Sequence, residues 1–365
     1  MNQKMKDLIV KKEYFPDRLA RRERPLILYG TGNGADKILD VIESRGIKAD
    51  GIFASDGFVR DRSFRGFKVK SYDEIIDSFG EDITVLMAFG SDRPEVFETV
   101  ESLDRRHDLI IPEVPLYGGE LFDFDYFRRN SGRIEDLRAV LSDDISIDIL
   151  ADLINFRLSG KLKYLSNTQS FSDSLTKLLP FRDVRSCLDG GAYKGDTLRV
   201  MIASFPNLSK AVCVEPDLRS FEKLSKFSET VDGIKIDLRN AVLSDEKGSV
   251  TFNSSSGRGA GVNGRSRRAS AVNIDSETID SILGGAPVDY IKLDVEGDEA
   301  KALKGAERTI REFRPSLSVS LYHRTEDFMA IPEYILQLYP GYKLFFRRQK
   351  CIPMWDLDLF AVPES

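Results

Sequence analysis

The segment that most constrains this chain lies at residues 187–197 and reads Cys-Leu-Asp-Gly-Gly-Ala-Tyr-Lys-Gly-Asp-Thr. An apolar run stops at Asp189, small residues follow, and a helical pattern begins near Thr197. This order predicts a parallel strand, a tight loop and a helix start, which together bind nucleotide-like ligands. Gly191 and Gly195 let the backbone lie close to a ligand because neither has a Cβ atom. The simpler alternative is an ordinary strand-to-helix turn.

The first position of this loop is an acid, Asp189, where a dinucleotide-binding loop has glycine. A carboxylate beside the ligand suits a cationic cofactor better than a pyrophosphate. S-adenosylmethionine carries a sulfonium and an ammonium group. We therefore expect S-adenosylmethionine to be the cofactor.

Two further strand-like runs, at residues 210–214 and 234–238, also end in polar residues. Glu215 follows the first run and stands 26 residues after the loop acid, near the spacing at which an acid meets a ribose diol. Pro216 then favours a helix start. Asn240 follows the second run, where it either contacts an adenine edge or forms a turn. These groups are expected at the carboxyl ends of parallel strands, where ligands bind in open α/β sheets.

A fourth strand is predicted at residues 288–297, and Asp294 and Glu296 lie where it leaves the sheet. In extended backbone these two side chains point to the same side. Three interpretations stay open. The carboxylates bind substrate hydroxyls and take a proton, or they hold a divalent cation, or they cap the next helix. Lys292 can pair with either acid.

The chain has two histidines, and His323 follows a fifth predicted strand at residues 316–322. A neutral imidazole facing the pocket at a strand end is the best candidate for a general base. The alternative is a surface-loop histidine. With Asp294 and Glu296, His323 completes the predicted catalytic set, and no resident metal is predicted.

Four segments together resemble the FkbM family of methyltransferases. They are Asp-Gly-Gly-Ala-Tyr-Lys-Gly at 189–195, Val-Glu-Pro at 214–216, Asn-Ala-Val-Leu-Ser-Asp at 240–245 and Ile-Lys-Leu-Asp-Val-Glu-Gly at 291–297. The resemblance covers roughly residues 181–362. It implies a class I S-adenosylmethionine-dependent methyltransferase, usually one that O-methylates a sugar, glycolipid or secondary metabolite. Many members have histidine where this chain has Asp298, so any role of that histidine cannot be transferred.

On this basis we predict the cofactor-binding residues to be Asp189, Gly190, Gly191, Ala192, Tyr193, Gly195, Thr197, Glu215, Pro216, Asn240, Ala241 and Asp294.

The N-terminal part begins with a second unit of the same kind. A buried-type strand at residues 25–29 leads into Gly30, Gly32 and Ala35, which satisfy the G-x-G-x-x-A pattern, and Asp56 ends the next strand. A nicotinamide-dependent oxidoreductase or a nucleotide-binding protein is therefore the alternative function. No residue suited to hydride transfer accompanies the pattern, which favours a degenerate module that positions substrate or a partner.

Residues 253–268 are rich in glycine and serine and contain four arginines. They form either a solvated loop or a lid whose Arg265, Arg267 and Arg268 contact an anionic substrate, since arginine pairs bidentately with carboxylate and phosphate. Together with Lys292, these are the predicted substrate residues.

The composition narrows the class of protein. A net charge of −6 over 365 residues gives no electrostatic footprint for nucleic acid. The first residues lack the apolar core of a signal peptide, and no run reaches the roughly 18 apolar residues of a membrane span. Three cysteines are consistent with free thiols in a cytoplasmic protein. A small-molecule or glycan substrate is therefore the expected partner.

We predict an α/β fold. A Rossmann-like domain occupies residues 1–118, a helical connector 119–180, and an FkbM-type methyltransferase domain 181–365. The last domain is expected to be a doubly wound, mostly parallel sheet closed by an antiparallel C-terminal hairpin.

Overall fold

The computed structural model describes residues 14–59, 63–115, 117, 119–254 and 270–364. The first sheet has six strands: β1 (Leu26–Tyr29), β2 (Gly51–Phe53), β3 (Ser63–Phe64), β4 (Phe67–Lys70), β5 (Thr84–Met87) and β6 (Asp108–Ile110). Their order is β3-β4-β2-β1-β5-β6, and only the β3–β4 pair is antiparallel. The central strands β1 and β5 are fully buried, as parallel strands covered by helices on both faces should be.

The later strands are β7 (Ser186–Gly190), β8 (Lys210–Val214), β9 (Lys235–Arg239), β10 (Val242–Leu243), β11 (Gly248–Ser254), β12 (Ser270–Glu277), β13 (Tyr290–Leu293), β14 (Ser316–Ser320), β15 (Tyr342–Arg348) and β16 (Leu357–Pro363). Seven of them form the second sheet in the order β15-β16-β14-β13-β7-β8-β9. Strand β16 runs antiparallel to both neighbours, whereas the other pairs are parallel. The predicted doubly wound sheet with a closing antiparallel hairpin is confirmed.

The small strands β10, β11 and β12 form a separate three-stranded sheet. Strands β11 and β12, on either side of residues 255–269, pair here as an antiparallel hairpin. The pair β3–β4 was not predicted, because strands of two and four residues are too short to show a period in the sequence.

The helices are α1 (Phe15–Ala20), α2 (Asn33–Glu43), α3 (Tyr72–Phe79), α4 (Pro94–Arg106), α5 (Phe124–Arg129), α6 (Ser131–Val140), α7 (Asp144–Ser159), α8 (Phe171–Leu178), α9 (Asp196–Ser204), α10 (Leu218–Ser228), α11 (Ile279–Leu283), α12 (Glu299–Lys304), α13 (Glu307–Phe313) and α14 (Asp327–Leu338). None of the helices in the described ranges has the length and apolar character that a membrane crossing requires.

The connecting helices attach to the outer edge of the second sheet. The Ser142 and Ser146 hydroxyls accept hydrogen bonds from the backbone of β15, at 3.0 Å and 2.9 Å. Arg347 of β15 pairs with Asp143, the N-cap residue of α7, at 2.5 Å. One hydrophobic core runs from the first sheet through these helices into the second sheet. The connecting segment therefore ties the two sheets into one packed body.

Candidate active site

The loop after β7 is shaped by one close backbone contact. Gly191 has a φ angle of +76°, and a Cβ atom there would lie 1.9 Å from the carbonyl oxygen of Asp294. Because β7 and β13 are neighbouring parallel strands, the loop that follows one rests on the end of the other. The glycine at this position is therefore required by the structure, and it places Asp294 against the predicted cofactor loop.

Asp189 lies beneath this loop and is fully buried. Neither of its carboxylate oxygens has a hydrogen-bond partner among the described residues. Its nearest cation is Lys292, whose Nζ is 3.4 Å from Oδ1 of Asp189 and 3.9 Å from Oδ2 of Asp294. Burial lowers the pKa of Lys292, but the two carboxylates outweigh it, so the net pKa lies above its usual value. Burial raises the pKa of Asp189, although Lys292 opposes the shift, so the site has a buried lysine with an acid on either side.

Glu215 follows β8 and is held by the cofactor loop itself. Its Oε2 accepts a hydrogen bond from the Tyr193 amide at 2.8 Å, and Oε1 accepts one from the Asp217 amide at 2.8 Å. Burial raises the pKa of Glu215 to about 7, although these two amides oppose the shift. Asn240 donates to the carbonyl of Glu215 at 2.9 Å and to that of Pro216 at 3.1 Å. Its amide nitrogen therefore fixes the strand end.

Beyond Asp294, the acidic turn after β13 surrounds His323. The ring Nε2 lies 3.5 Å from Oδ1 of Asp294 and 3.5 Å from Oε2 of Glu296. The Nδ1 atom lies 2.9 Å from Oε1 of Glu299. Burial lowers the pKa of His323, but Glu299 and Glu296 outweigh it and raise that pKa well above its usual value. This histidine is thus enclosed by three carboxylates.

The exposure of these side chains differs from the sequence-based expectation. His323 is 0% exposed, whereas the side chains of Asp294 and Glu296 are 33% and 34% exposed. His323 therefore lies behind the two carboxylates rather than facing the pocket as expected. Of these three side chains, only those of Asp294 and Glu296 reach the surface.

Two tyrosine hydroxyls fix these carboxylates. Tyr322 donates to Oδ1 of Asp294 at 3.2 Å, and Tyr117 donates to Oε2 of Glu296 at 2.5 Å. The predicted strand over residues 288–297 is too long, because β13 ends at Leu293 and Glu296 has a φ angle of +56°, in the left-handed region that residues with a side chain rarely adopt. Such strain is common at functional turns.

A cavity of about 200 Å³ opens between the end of β13 and the closing hairpin. It is strongly acidic, and its lining residues include Asp196, Thr197, Lys292, Asp294, Ser320, Asp356 and Asp358. Thr197 stands in the first turn of α9, so this wall continues the predicted cofactor loop.

The remaining predicted residues are distributed as follows. Gly190 ends β7, and Ala192 and Ala241 are buried, at 1% and 2% exposure. Gly195 begins α9. The side chains of Arg265, Arg267 and Arg268, proposed as lid residues, lie outside the described residues.

In the first sheet, only one of the two glycines of the pattern after β1 has a packing explanation, because a Cβ atom on Gly32 would meet nothing within 4 Å. A Cβ atom on Gly30 would lie 2.8 Å from the Phe89 ring, and one on Gly34 would lie 2.7 Å from the carbonyl oxygen of Ala88. Ala35 is fully buried. The side chain of Asp56 is outside the described part of the chain.

Residues 189–344 match the family model of the methyltransferase FkbM domain. This part of the chain is an FkbM methyltransferase domain. The whole chain resembles the crystal structure of methyltransferase FkbM from Methylobacillus flagellatus KT, with a TM-score of 0.72 and 22% sequence identity. That match covers 98% of this chain and 96% of the other chain, and at this identity it concerns the fold.

Weaker likenesses occur to other methyltransferase structures. An rRNA methylase from Streptococcus thermophilus has a TM-score of 0.35 and 12% identity, over 53% of this chain and 94% of that chain. Fibrillarin from Aeropyrum pernix, in complex with S-adenosyl-L-methionine, has a TM-score of 0.33 and 15% identity, over 52% of this chain and 73% of that chain. No curated protein matches the chain.

Several residues near the candidate site were not among the predicted site residues, among them Tyr117, Glu299, Tyr322 and Asp358. Glu299 stands three positions after Glu296, so the sequence places it near the turn. The sequence pattern alone, however, indicates only an acid in the first turn of a helix. Tyr117 and Asp358 reach the site from other parts of the chain, and no local pattern marks them. In place of the histidine of many FkbM members, Asp298 is buried and pairs with Lys301 at 3.0 Å.

Proposed function

We propose that this protein transfers the methyl group of S-adenosylmethionine to a hydroxyl of a sugar, glycolipid or secondary metabolite. The observation that carries the proposal is Asp189, a fully buried carboxylate whose two oxygens lack hydrogen-bond partners among the described residues, beneath a glycine loop. A buried carboxylate is costly unless a cation or donors satisfy it, and Lys292 is shared with Asp294. A positively charged ligand above the loop fits this charge arrangement.

The residues present fit S-adenosylmethionine in three respects. The loop around Gly191 packs against the backbone of Asp294, so the glycine loop and the end of β13 lie together at one edge of the sheet. Glu215 stands at the end of the adjacent strand, where an acid can accept the ribose hydroxyls. When bound, the cofactor would supply a methyl group on a sulfonium, already activated for transfer.

The chain's own contribution would be to position the acceptor and to take its proton. A hydroxyl oxygen must lose its proton as it forms the new bond to carbon, so a base within hydrogen-bond reach is needed. Asp294 and Glu296 are the partly exposed carboxylates at the expected position. Tyr322 and Tyr117 would hold them in place, and His323 would act from behind as a positioning residue. Most of the rate enhancement would come from alignment of the acceptor and exclusion of water.

We assign the acceptor class from the resemblance to FkbM methyltransferases. A hydroxyl acceptor also needs a base to take its proton, and the site offers carboxylates for this. The oxidoreductase alternative has less support, because Gly30 is accounted for by its contact with Phe89 and no residue suited to hydride transfer accompanies the pattern.

Isothermal titration with S-adenosylhomocysteine, and separately with NAD and NADH, tests the proposal. The wild-type chain should bind S-adenosylhomocysteine, and Asp189→Ala and Glu215→Ala should each weaken binding at least tenfold. Glu222→Ala, which removes an exposed acid on α10, is the matched control and should bind as the wild type does. Binding of NAD alone, unaffected by these substitutions, would refute the proposed function.

A further inference from the structure

We propose that His323, Asp294 and Glu296 form a binding site for a divalent cation, with Glu299 orienting the imidazole. This deepens the proposed function and rests on it, since the cation would lie where the acceptor hydroxyl is expected to bind. Asp294 and Glu296 each place a carboxylate oxygen 3.5 Å from Nε2 of His323, and Glu299 lies in the same cluster, since Asp294, Glu299 and His323 each offer a ligand atom within 4.8 Å of the others.

The first argument is the state of the buried ring. His323 is completely buried, and while its Nδ1 lies 2.9 Å from Oε1 of Glu299, its Nε2 makes no hydrogen bond of acceptable geometry among the described residues. Buried polar groups in folded proteins are nearly always satisfied, so an imidazole in this state that points at carboxylates calls for a missing partner. The other histidine behaves in the usual way: His107 bonds the Tyr72 hydroxyl at 2.6 Å and the Glu81 carbonyl at 2.8 Å.

The second argument is distance. Nε2 lies 3.5 Å from one oxygen of Asp294 and 3.5 Å from one oxygen of Glu296. Both separations exceed the 2.7–3.2 Å typical of an N–H···O hydrogen bond. Two ligand atoms that each lie about 2.1 Å from a tetrahedral metal ion are about 3.4 Å apart. The separations therefore suit atoms that share a cation better than atoms that share a proton.

The third argument is the surrounding shell. Oε1 of Glu299 lies 2.9 Å from Nδ1, and a carboxylate on the second ring nitrogen is the usual way to orient a metal-bound histidine. Glu299 is itself held by the amides of Val295 at 2.9 Å and Gly297 at 3.3 Å. The hydroxyls of Tyr117 and Tyr322 support the other two carboxylates.

One imidazole and two carboxylates are ligands for a first-row divalent ion such as Mn²⁺ or Zn²⁺. Asp294 and Glu296 are partly exposed, so the ion would keep open positions toward the cavity. A cation there would lower the pKa of the acceptor hydroxyl and hold its oxygen in place. The proton would pass to a carboxylate oxygen of Glu296. As the oxygen–carbon bond forms, the carbon–sulfur bond breaks and its electron pair stays on sulfur.

The test is a metal titration of the full chain after treatment with a chelator. Mn²⁺ is followed by electron paramagnetic resonance, and Zn²⁺ is followed by calorimetry. Wild type and the matched control His107→Gln should each bind one ion per chain. His323→Gln and Glu296→Gln should bind at least tenfold more weakly, and Glu299→Gln should lose roughly 10- to 100-fold in affinity. Binding of S-adenosylhomocysteine by each variant shows that it is folded.

A wild-type chain that binds S-adenosylhomocysteine but takes up neither ion overturns the proposal, as does a His323→Gln variant that binds ions as tightly as wild type. Should a variant not fold, the thermal midpoint of the wild type decides instead, because an ion that binds the native site must raise it. Failure of S-adenosylhomocysteine binding with intact ion uptake would count against the methyltransferase function alone.

Discussion

The hydroxyl of Tyr117 lies 2.5 Å from Oε2 of Glu296, although 179 residues separate the two in sequence. Tyr117 comes from the segment between the first sheet and the connecting helices, and Glu296 comes from the turn after β13. The tyrosine ring covers that turn, since a Cβ atom on Gly297 would lie 3.1 Å from it. Arg324 ties the two segments together through the carbonyls of Gly297 at 2.8 Å and Tyr117 at 3.2 Å. The N-terminal half thus supplies part of the candidate active site.

The first prediction concerns Tyr117→Phe. Removal of the hydroxyl leaves the Glu296 carboxylate without its donor, and a hydrogen bond to a charged group is worth about 1.5–3 kcal/mol. We expect kcat to fall by one to two orders of magnitude, with S-adenosylhomocysteine affinity within twofold of wild type. Single-turnover kinetics and calorimetry measure the two effects. Tyr164→Phe is the matched control, because it removes a buried hydroxyl that has no hydrogen-bond partner among the described residues. Equal rates for both variants would contradict the assigned role.

The second prediction concerns the buried pair of Asp189 and Lys292. Asp189→Asn leaves the lysine ammonium buried with a more distant partner, and breaking a buried ion pair from one side costs about 3 kcal/mol or more. The double variant Asp189→Asn/Lys292→Met removes both charges and should recover much of this stability. We expect cofactor affinity to stay low in both variants. Urea unfolding and calorimetry separate these outcomes. Recovery of both properties in the double variant would show that the carboxylate serves only to pair with the lysine.

The third prediction isolates the close contact at Gly191. In Gly191→Ala the new methyl group would lie 1.9 Å from the Asp294 carbonyl, so the cofactor loop must move. Gly233→Ala is the matched control, because Gly233 has a similar φ of +78° but a Cβ atom added there would meet nothing within 4 Å. Both variants should lose about 1 kcal/mol from backbone strain. Only Gly191→Ala should also lose at least tenfold in S-adenosylhomocysteine affinity, and similar affinities for the two would refute the contact's importance.

The sequence predicted the sheet and the loop well, because both depend on local patterns. Asp189, Glu215 and Asp294 each follow an apolar run, and parallel strands with buried faces bring such residues to one edge. The fold class and the antiparallel closing hairpin were confirmed for this reason.

The exposure of individual side chains could not be predicted in this way. His323 follows a strand just as Asp294 does, yet it is enclosed by the turn that carries Glu299 and by the ring of Tyr117. Its burial depends on a tyrosine more than 200 positions earlier, which no local period reveals. The same holds for Asp358, which reaches Ser320 only through the pairing of β16 with β14.

The last prediction concerns pH and Glu215. Its pKa is about 7 in the folded protein and near the usual 4.5 in the unfolded chain, because burial disfavours the charged form. Between pH 5 and 7 the folded state keeps a proton that the unfolded chain has released, so stability falls as pH rises. Glu215→Gln mimics the protonated side chain at every pH. Wild type should therefore lose about 3 kcal/mol of unfolding free energy relative to this variant between pH 5 and 8. Urea unfolding at several pH values measures the difference, and a constant gap between the two proteins would show that Glu215 is ionised throughout.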